Sequence, residues 1–189
     1  FIFSFMALVQ IVEVFIGKSF GERDQTRCSN YTYQMLVFAS MTIFLFVPLS
    51  MLGKLLLPEE LFPTGNIYYM IIINNGPIIL FNCILGCYFA ATNQSKILLY
   101  SVILSNFINI ILDYVLIFGI PDAIPSLNIL GAGIATTISQ LLQLAILLTA
   151  FFIANSKYIN YSVNLNIIAK MLKISFPLAV CNFIEMGAH

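Results

Sequence analysis

The chain consists of long apolar runs separated by short polar segments. Four runs have roughly the 20 residues that a helix needs to cross a bilayer, and they cover residues 33–57, 66–92, 97–119 and 128–154. Two shorter apolar runs, 1–16 and 174–189, resemble the end of one further span and the beginning of another. Apolar and polar residues do not alternate strictly, and Gly and Ala recur, so the pattern predicts helices rather than barrel strands.

Composition supports a membrane protein. Hydrophobic residues make up 60% of the chain and charged residues 8%, whereas a soluble domain carries about 25% charged residues. The net charge is zero, so no basic surface suggests nucleic acid as a partner. We therefore predict an all-α, polytopic transmembrane helical bundle in contact with the lipid bilayer.

Nothing in the sequence suggests an enzyme. The four cysteines lack the spacing of a zinc site, and we find no nucleophile elbow or glycine-rich phosphate loop. We expect no catalytic residues and no cofactor. The chain begins and stops inside apolar runs, so we expect an internal fragment of a longer protein.

The basic residues predict an orientation. Seven of the eight Lys and Arg fall in alternate connecting segments, and only Lys54 lies towards the other face. Because basic residues accumulate on the cytoplasmic side, we expect three cytoplasmic loops, at residues 17–32, 93–96 and 155–173. The sequence does not distinguish a plasma membrane from an organellar one.

Three acidic residues lie inside the apolar runs, namely Glu13, Asp113 and Glu185. An ionisable group there costs several kcal/mol unless it is paired or hydrated. No Lys or Arg lies in the middle of a run. The pattern favours a hydrated cavity, an exchangeable cation or proton, or a raised pKa. The alternative is a structural acid that is hydrogen-bonded to helix ends.

Asp113 shares a helix face with other polar residues. At about 100° per residue, Asn106, Asn109 and Asp113 fall within a narrow arc. Amide and carboxylate oxygens are hard ligands that suit a small cation or a shared proton. The alternative is hydrogen bonding to neighbouring helices, which is the better interpretation for Asn106. In the next run, Thr136 lies one turn from Ala132 among small residues that allow close helix packing.

A proline interrupts the run at residues 66–92. Pro77 removes one backbone hydrogen bond and bends a helix. The freed carbonyl groups, together with Asn74, Asn75 and Asn82, need partners or water. This indicates a cavity lining or a hinge, and a simple packing kink is an equally good interpretation.

Several segments together resemble the multidrug and toxic compound extrusion (MATE) family. "VEVFIGKSFGERD" resembles the end of the family's second helix, and "GCYFAATNQSK" resembles the end of its fourth. "INIILDYVLIFG" and "LGAGIATTISQLL" resemble the fifth and sixth helices, and "ISFPLAVCNFIEMGA" resembles the seventh. The first two motifs are weak alone, but the ordered set is specific.

The resemblance implies a fold of twelve helices in two lobes, and a function. The chain would cover most of the N-lobe at residues 1–154, a cytoplasmic inter-lobe loop at 155–173 and the start of the C-lobe at 174–189. Family members exchange protons or sodium for organic cations and drug-like compounds by alternating access. The implied partners are small organic substrates, and the implied full-length protein is a monomer.

The resemblance also implies residue roles. The coupling ion would bind Asn109 and Asp113, with Thr136 and the Ala132 carbonyl as further ligands. Glu185 and Glu13 match glutamates that serve the substrate or the proton. The segment at 120–128 is longer than usual for the family.

Two alternative functions are compatible with the sequence. A related flippase would move lipid-linked oligosaccharides or a peptidoglycan precursor, but it would be expected to line its cavity with cationic residues. A scaffold without transport activity would gain nothing from buried acids.

Overall fold

A computed structural model describes residues 2–51, 64–119 and 125–187 of the chain. These residues form helices and connecting turns, with no strand among them. The helices are α1 (Ile2–Gly21), α2 (Gln25–Met51), α3 (Thr64–Asn74), α4 (Gly76–Ala91), α5 (Ser95–Phe118), α6 (Ile129–Asn155) and α7 (Leu165–Gly187). The predicted helical membrane bundle is confirmed. Five segments are long and apolar enough to cross a bilayer, and one of them is α3 and α4 together.

The helices extend beyond the apolar runs that predicted them. The sequence placed a loop at residues 17–32, but only residues 22–24 separate α1 from α2. Arg23 adopts a positive φ of 60° at the turn. The Asp24 carboxylate then accepts a hydrogen bond of 3.0 Å from the Arg27 backbone N–H and caps α2. Polar residues next to the capping residue belong to the helix. A prediction from hydropathy leaves them out, because it follows only the apolar run.

The segment predicted as a loop at residues 155–173 is also shorter than expected. Residues 156–164 connect α6 to α7, and α7 begins at Leu165. The Asn164 side-chain oxygen accepts hydrogen bonds from the backbone N–H groups of Asn166 and Ile167, at 3.1 and 3.4 Å. This capping starts the helix before the apolar sequence begins.

The connecting segment 156–164 lies along α2. The Gln34 amide donates to the Ser162 carbonyl at 2.8 Å and accepts from the Asn164 backbone N–H at 2.9 Å. The Asn30 side-chain oxygen accepts from the Asn160 backbone N–H at 2.7 Å. These bonds satisfy backbone groups of the segment without secondary structure.

The helix core is built from aromatic and branched side chains on α1, α2, α4 and α6. Tyr88 and Phe89 on α4 are fully buried, as is Phe151 on α6. The Tyr88 and Phe151 rings meet edge to face, with centroids 4.9 Å apart. By contrast, α5 buries only Ser101 and Ser105.

One end of the bundle carries the basic residues. It includes the connections at 22–24, 92–94 and 156–164, and we call it the basic end. The Lys and Arg that the structure describes lie on or near it, at Lys18, Arg23, Arg27, Lys96, Lys157, Lys170 and Lys173. The opposite end carries the connection between α5 and α6.

Backbone hydrogen bonds join the described end of the connection between α5 and α6 to the last turn of α5. The Leu127 N–H donates to the Leu116 carbonyl at 2.9 Å, and the Asn128 N–H donates to the Ile117 carbonyl at 3.3 Å. A Cβ at Gly131 would lie 2.5 Å from the Leu116 carbonyl oxygen. Only glycine therefore lets the two helices approach this closely at that point.

Candidate functional site

Asn109 and Asp113 lie one turn apart on the same face of α5, and both are half-buried. The Asn109 Nδ2 and the Asp113 Oδ1 are shielded from solvent, and neither has a hydrogen-bond partner among the described residues. Within the described residues, the ion pairs join Arg27 to Glu22 and Asp24 at the basic end, and none reaches Asp113. The structure thus leaves this amide and this carboxylate with unmet hydrogen-bonding capacity.

Thr136 and Ala132 lie on α6, the helix that follows α5 in the chain. The α5–α6 contact is the most extensive between any two described helices, and the Ser105 hydroxyl also donates to the Gln143 side chain at 3.2 Å. The Thr136 hydroxyl donates to the Ala132 carbonyl at 2.9 Å. In the described part of the chain, no hydrogen bond joins this pair to Asn109 or Asp113.

The four groups lie on two adjoining helices, and each carries an oxygen atom. A carboxylate, a side-chain amide, a hydroxyl and a backbone carbonyl are the donors that hard cations take. An unpaired carboxylate in an apolar setting is costly, and either a cation or a proton removes the cost. Groups of these types are able to bind a small cation or a proton.

The two glutamates cannot be placed in this group. Glu13 lies on α1 and is exposed within the described chain, with its carboxylate near the Cys87 thiol of α4. Glu185 falls within α7, but its side chain lies outside what the structure describes. Asn106, expected to pack against a neighbour, is exposed.

Pro77 lies where α3 gives way to α4. The break falls at Asn75, and Pro77 occupies the first turn of α4, where its missing N–H is tolerated. A Cβ at Gly76 would lie 2.5 Å from the Phe46 ring, so α2 packs tightly on the bend. Asn74 is exposed at the end of α3.

Asn82 links α4 to α6. Its Nδ2 donates to the Gln140 backbone carbonyl at 3.1 Å and to the Gln140 side-chain oxygen at 2.8 Å, whereas its Oδ1 is buried without a partner. The helix is interrupted at Asn75, two residues before Pro77, and Asn82 is bonded to α6.

Comparison with known proteins identifies the family. The MatE family model matches residues 1–115, which is more than half of the chain and includes Asn109 and Asp113. The chain belongs to the MatE family. No curated protein matches the sequence.

A solved structure shares the fold of this MatE chain. It is described as the inward-facing conformation of a multidrug resistance MATE family transporter of the MOP superfamily. The two structures align with a TM-score of 0.71 at 18% sequence identity, over 93% of this chain and 43% of that one. The chain thus spans less than half the length of that transporter.

The MatE chain also contains a polar cluster that the sequence did not reveal. At the basic end, the Asn155 Oδ1 accepts hydrogen bonds from Gln25 at 3.0 Å, from Ser29 at 2.9 Å and from the Tyr88 hydroxyl at 2.8 Å. Gln25 also donates to the Tyr88 oxygen at 2.9 Å. Polar residues are expected at the ends of spans, so no signal marked these as partners across three helices.

Proposed function

We propose that the full-length protein containing this chain is an antiporter that exports small organic, cationic compounds. Its coupling ion, a proton or Na⁺, binds at Asp113. Membership of the MatE family and the fold shared with a multidrug resistance transporter support transport as the general activity.

The observation that carries the proposal is the unpaired Asp113 carboxylate on α5, beside an unpaired Asn109 amide. A structural acid would be expected to have hydrogen-bond donors or a basic partner. Asp113 instead has an oxygen without a donor, which is the condition that an exchangeable ion relieves. Thr136 and the Ala132 carbonyl, on the helix packed against α5, are the proposed additional ligands.

The coupling follows from binding thermodynamics. An ion that binds one conformation more tightly than the other shifts the equilibrium between them. If the ion lowers the affinity for substrate, the substrate must lower the affinity for the ion by the same factor. The bend at Asn75 and Pro77 is the proposed place where α3 moves relative to α4.

We propose that the basic end faces the cytoplasm, because it carries the described Lys and Arg residues. Asp113 lies five residues from the last residue of α5, at Phe118, and thus in the outward half of its span. Ions outside the membrane would therefore reach it first, and their entry would drive substrate release outward.

The proposed substrate class is organic cations. The acids at Glu13, Asp113 and Glu185 would attract positive charge, and aromatic rings provide π faces for it. A flippase for pyrophosphate-linked lipids would instead need basic residues within the spans. The described Lys and Arg residues lie near the basic end instead.

The test is transport by the full-length protein in cells loaded with a fluorescent organic cation such as ethidium. We expect Asp113→Asn to abolish ion-coupled efflux, because a neutral amide cannot exchange a proton or balance a cation. Efflux driven separately by a pH gradient and by a sodium gradient identifies the ion.

The matched control is Glu22→Gln, which also neutralises one acid but at the exposed basic end. Efflux by this variant should equal wild type. Wild-type efflux by Asp113→Asn, at equal expression, would refute the site.

A further inference from the structure

A cleft lies between α3 and α6, apart from the proposed ion site. It has a volume of about 460 Å³ and is lined by Ile67, Met70, Ile71, Asn74, Asn75, Ile134, Thr137 and Ile138. Clefts of about 300–1,000 Å³ with mainly apolar walls and a few polar groups are typical of small-molecule sites. This cleft has that size and that composition.

Two residues that line the cleft lie on the opposite face of α6 from Thr136, a proposed ion ligand. Ile134 and Ile138 are each two residues from Thr136, which is about 200° around a helix. Both isoleucines are partly exposed, at 36% and 43%. The residues that line the cleft do not include any of the proposed ion ligands.

Asn75 is a cleft residue whose side-chain amide lacks hydrogen-bond partners among the described residues. The residue is 2% exposed, and in the part of the chain that the structure describes neither its Nδ2 nor its Oδ1 has a hydrogen-bond partner. Leaving such a group unpaired is energetically unfavourable. Asn74 lines the same cleft and is exposed. The Thr137 hydroxyl donates to the Gly133 carbonyl, so its oxygen can still accept a hydrogen bond.

The depth of Asn75 indicates where a ligand would come from. Asn75 is close to the middle of the 27-residue span Gly65–Ala91, about 5 Å from its centre at 1.5 Å per residue. Water is scarce at this depth. A ligand that meets the amide there must dissolve in the membrane.

We propose that this cleft binds a small, membrane-dissolved molecule that carries an amide group or an equivalent paired donor and acceptor. The acceptor of such a group complements the Asn75 Nδ2, and its donor complements the Oδ1. Lipid acyl chains have neither. The isoleucine and methionine walls take the apolar body of the ligand, and the cleft volume fits a single drug-sized molecule.

The test is photolabelling of the full-length protein in phosphatidylcholine nanodiscs. The probe is 4-acetamidobenzophenone, and the matched probe is 4-propylbenzophenone, which has the same ring system without the amide. Mass spectrometry maps the labelled peptides that contain Met70, Ile134 or Ile138. We expect saturable labelling by the amide probe, about tenfold above that by the propyl probe, because hydrogen bonds to Asn75 add to the affinity.

Variants separate the site from general partition into lipid. Asn75→Leu removes the amide, and Ile138→Trp fills the cleft from an exposed position, so each should reduce labelling by the amide probe about tenfold. Asn66→Leu is the matched control, since Asn66 also has a buried unpaired oxygen on α3 but does not line the cleft. Asn66→Leu should label like wild type.

Equal labelling by the two probes would show that lipid chains fill the cleft, and would overturn the proposal. Wild-type labelling of both Asn75→Leu and Ile138→Trp would also overturn it. The absence of labelling at these residues by both probes would overturn it as well.

Discussion

At the basic end, Asn155 accepts three hydrogen bonds and donates one to the Phe151 carbonyl at 2.9 Å. Along α5, Asn109 is only half-buried, and neither its Nδ2 nor the Asp113 Oδ1 has a hydrogen-bond partner among the described residues. The residue type is the same in the two places. The difference lies in what surrounds it.

The comparison suggests that the two regions have different roles. A buried polar network whose groups are all paired stabilises one arrangement of helices. A group left unpaired stabilises no single arrangement, but it remains able to take a ligand. We interpret the basic end as the fixed part of the bundle, and the face of α5 as the part that exchanges an ion.

The largest effect on stability is expected at Asn155. Asn155→Ala removes the acceptor for Gln25, Ser29 and Tyr88, and it should lower the free energy of unfolding by about 3 kcal/mol. The matched variant is Asn109→Ala, which deletes the same side chain from the unpaired region and should change stability by less than about 1 kcal/mol. Thermal unfolding of the purified full-length protein measures both. Equal losses in Tm would remove the distinction between the two regions.

A smaller effect is expected where α5 meets α6. Gly131→Ala would place a methyl group 2.5 Å from the Leu116 carbonyl oxygen, and it should destabilise the protein by about 1–3 kcal/mol by forcing the helices apart. It should also weaken ion coupling, since Thr136 would move away from Asp113.

The control for this change is Gly17→Ala on α1, where an added Cβ meets nothing within 4 Å. Alanine favours helix over glycine by about 1 kcal/mol, so this variant should be as stable as wild type or more stable. If Gly131→Ala behaves like Gly17→Ala, the close approach of α5 and α6 is not needed.

Much of the fold could be predicted from the sequence. The long apolar runs predicted the spans, and Pro77 predicted the break at Asn75. The ends of the helices were harder to predict from the sequence, because hydrogen bonds to the Asp24 carboxylate and the Asn164 side chain determine where α2 and α7 begin. Hydropathy does not register such bonds.

The candidate site was predictable only in part. Asn109 and Asp113 were visible as polar residues inside an apolar run, and the helical period placed them on one face. The cluster at Asn155 was not visible, because partners more than 60 residues apart in sequence are joined only by folding. The cleft beside Asn75 depends on how α3 and α6 pack, which no local pattern encodes.

Substrate binding at equilibrium tests the central claim most directly. The full-length protein is purified, and the affinity for ethidium is measured by fluorescence across a range of pH and of sodium concentration. If Asp113 binds the coupling ion, that ion should weaken ethidium binding to the wild type. Lower pH has this effect if the ion is a proton, and added sodium has it if the ion is Na⁺. The change in ethidium affinity should be absent in Asp113→Asn. A shift of the same size in Asp113→Asn would contradict the account.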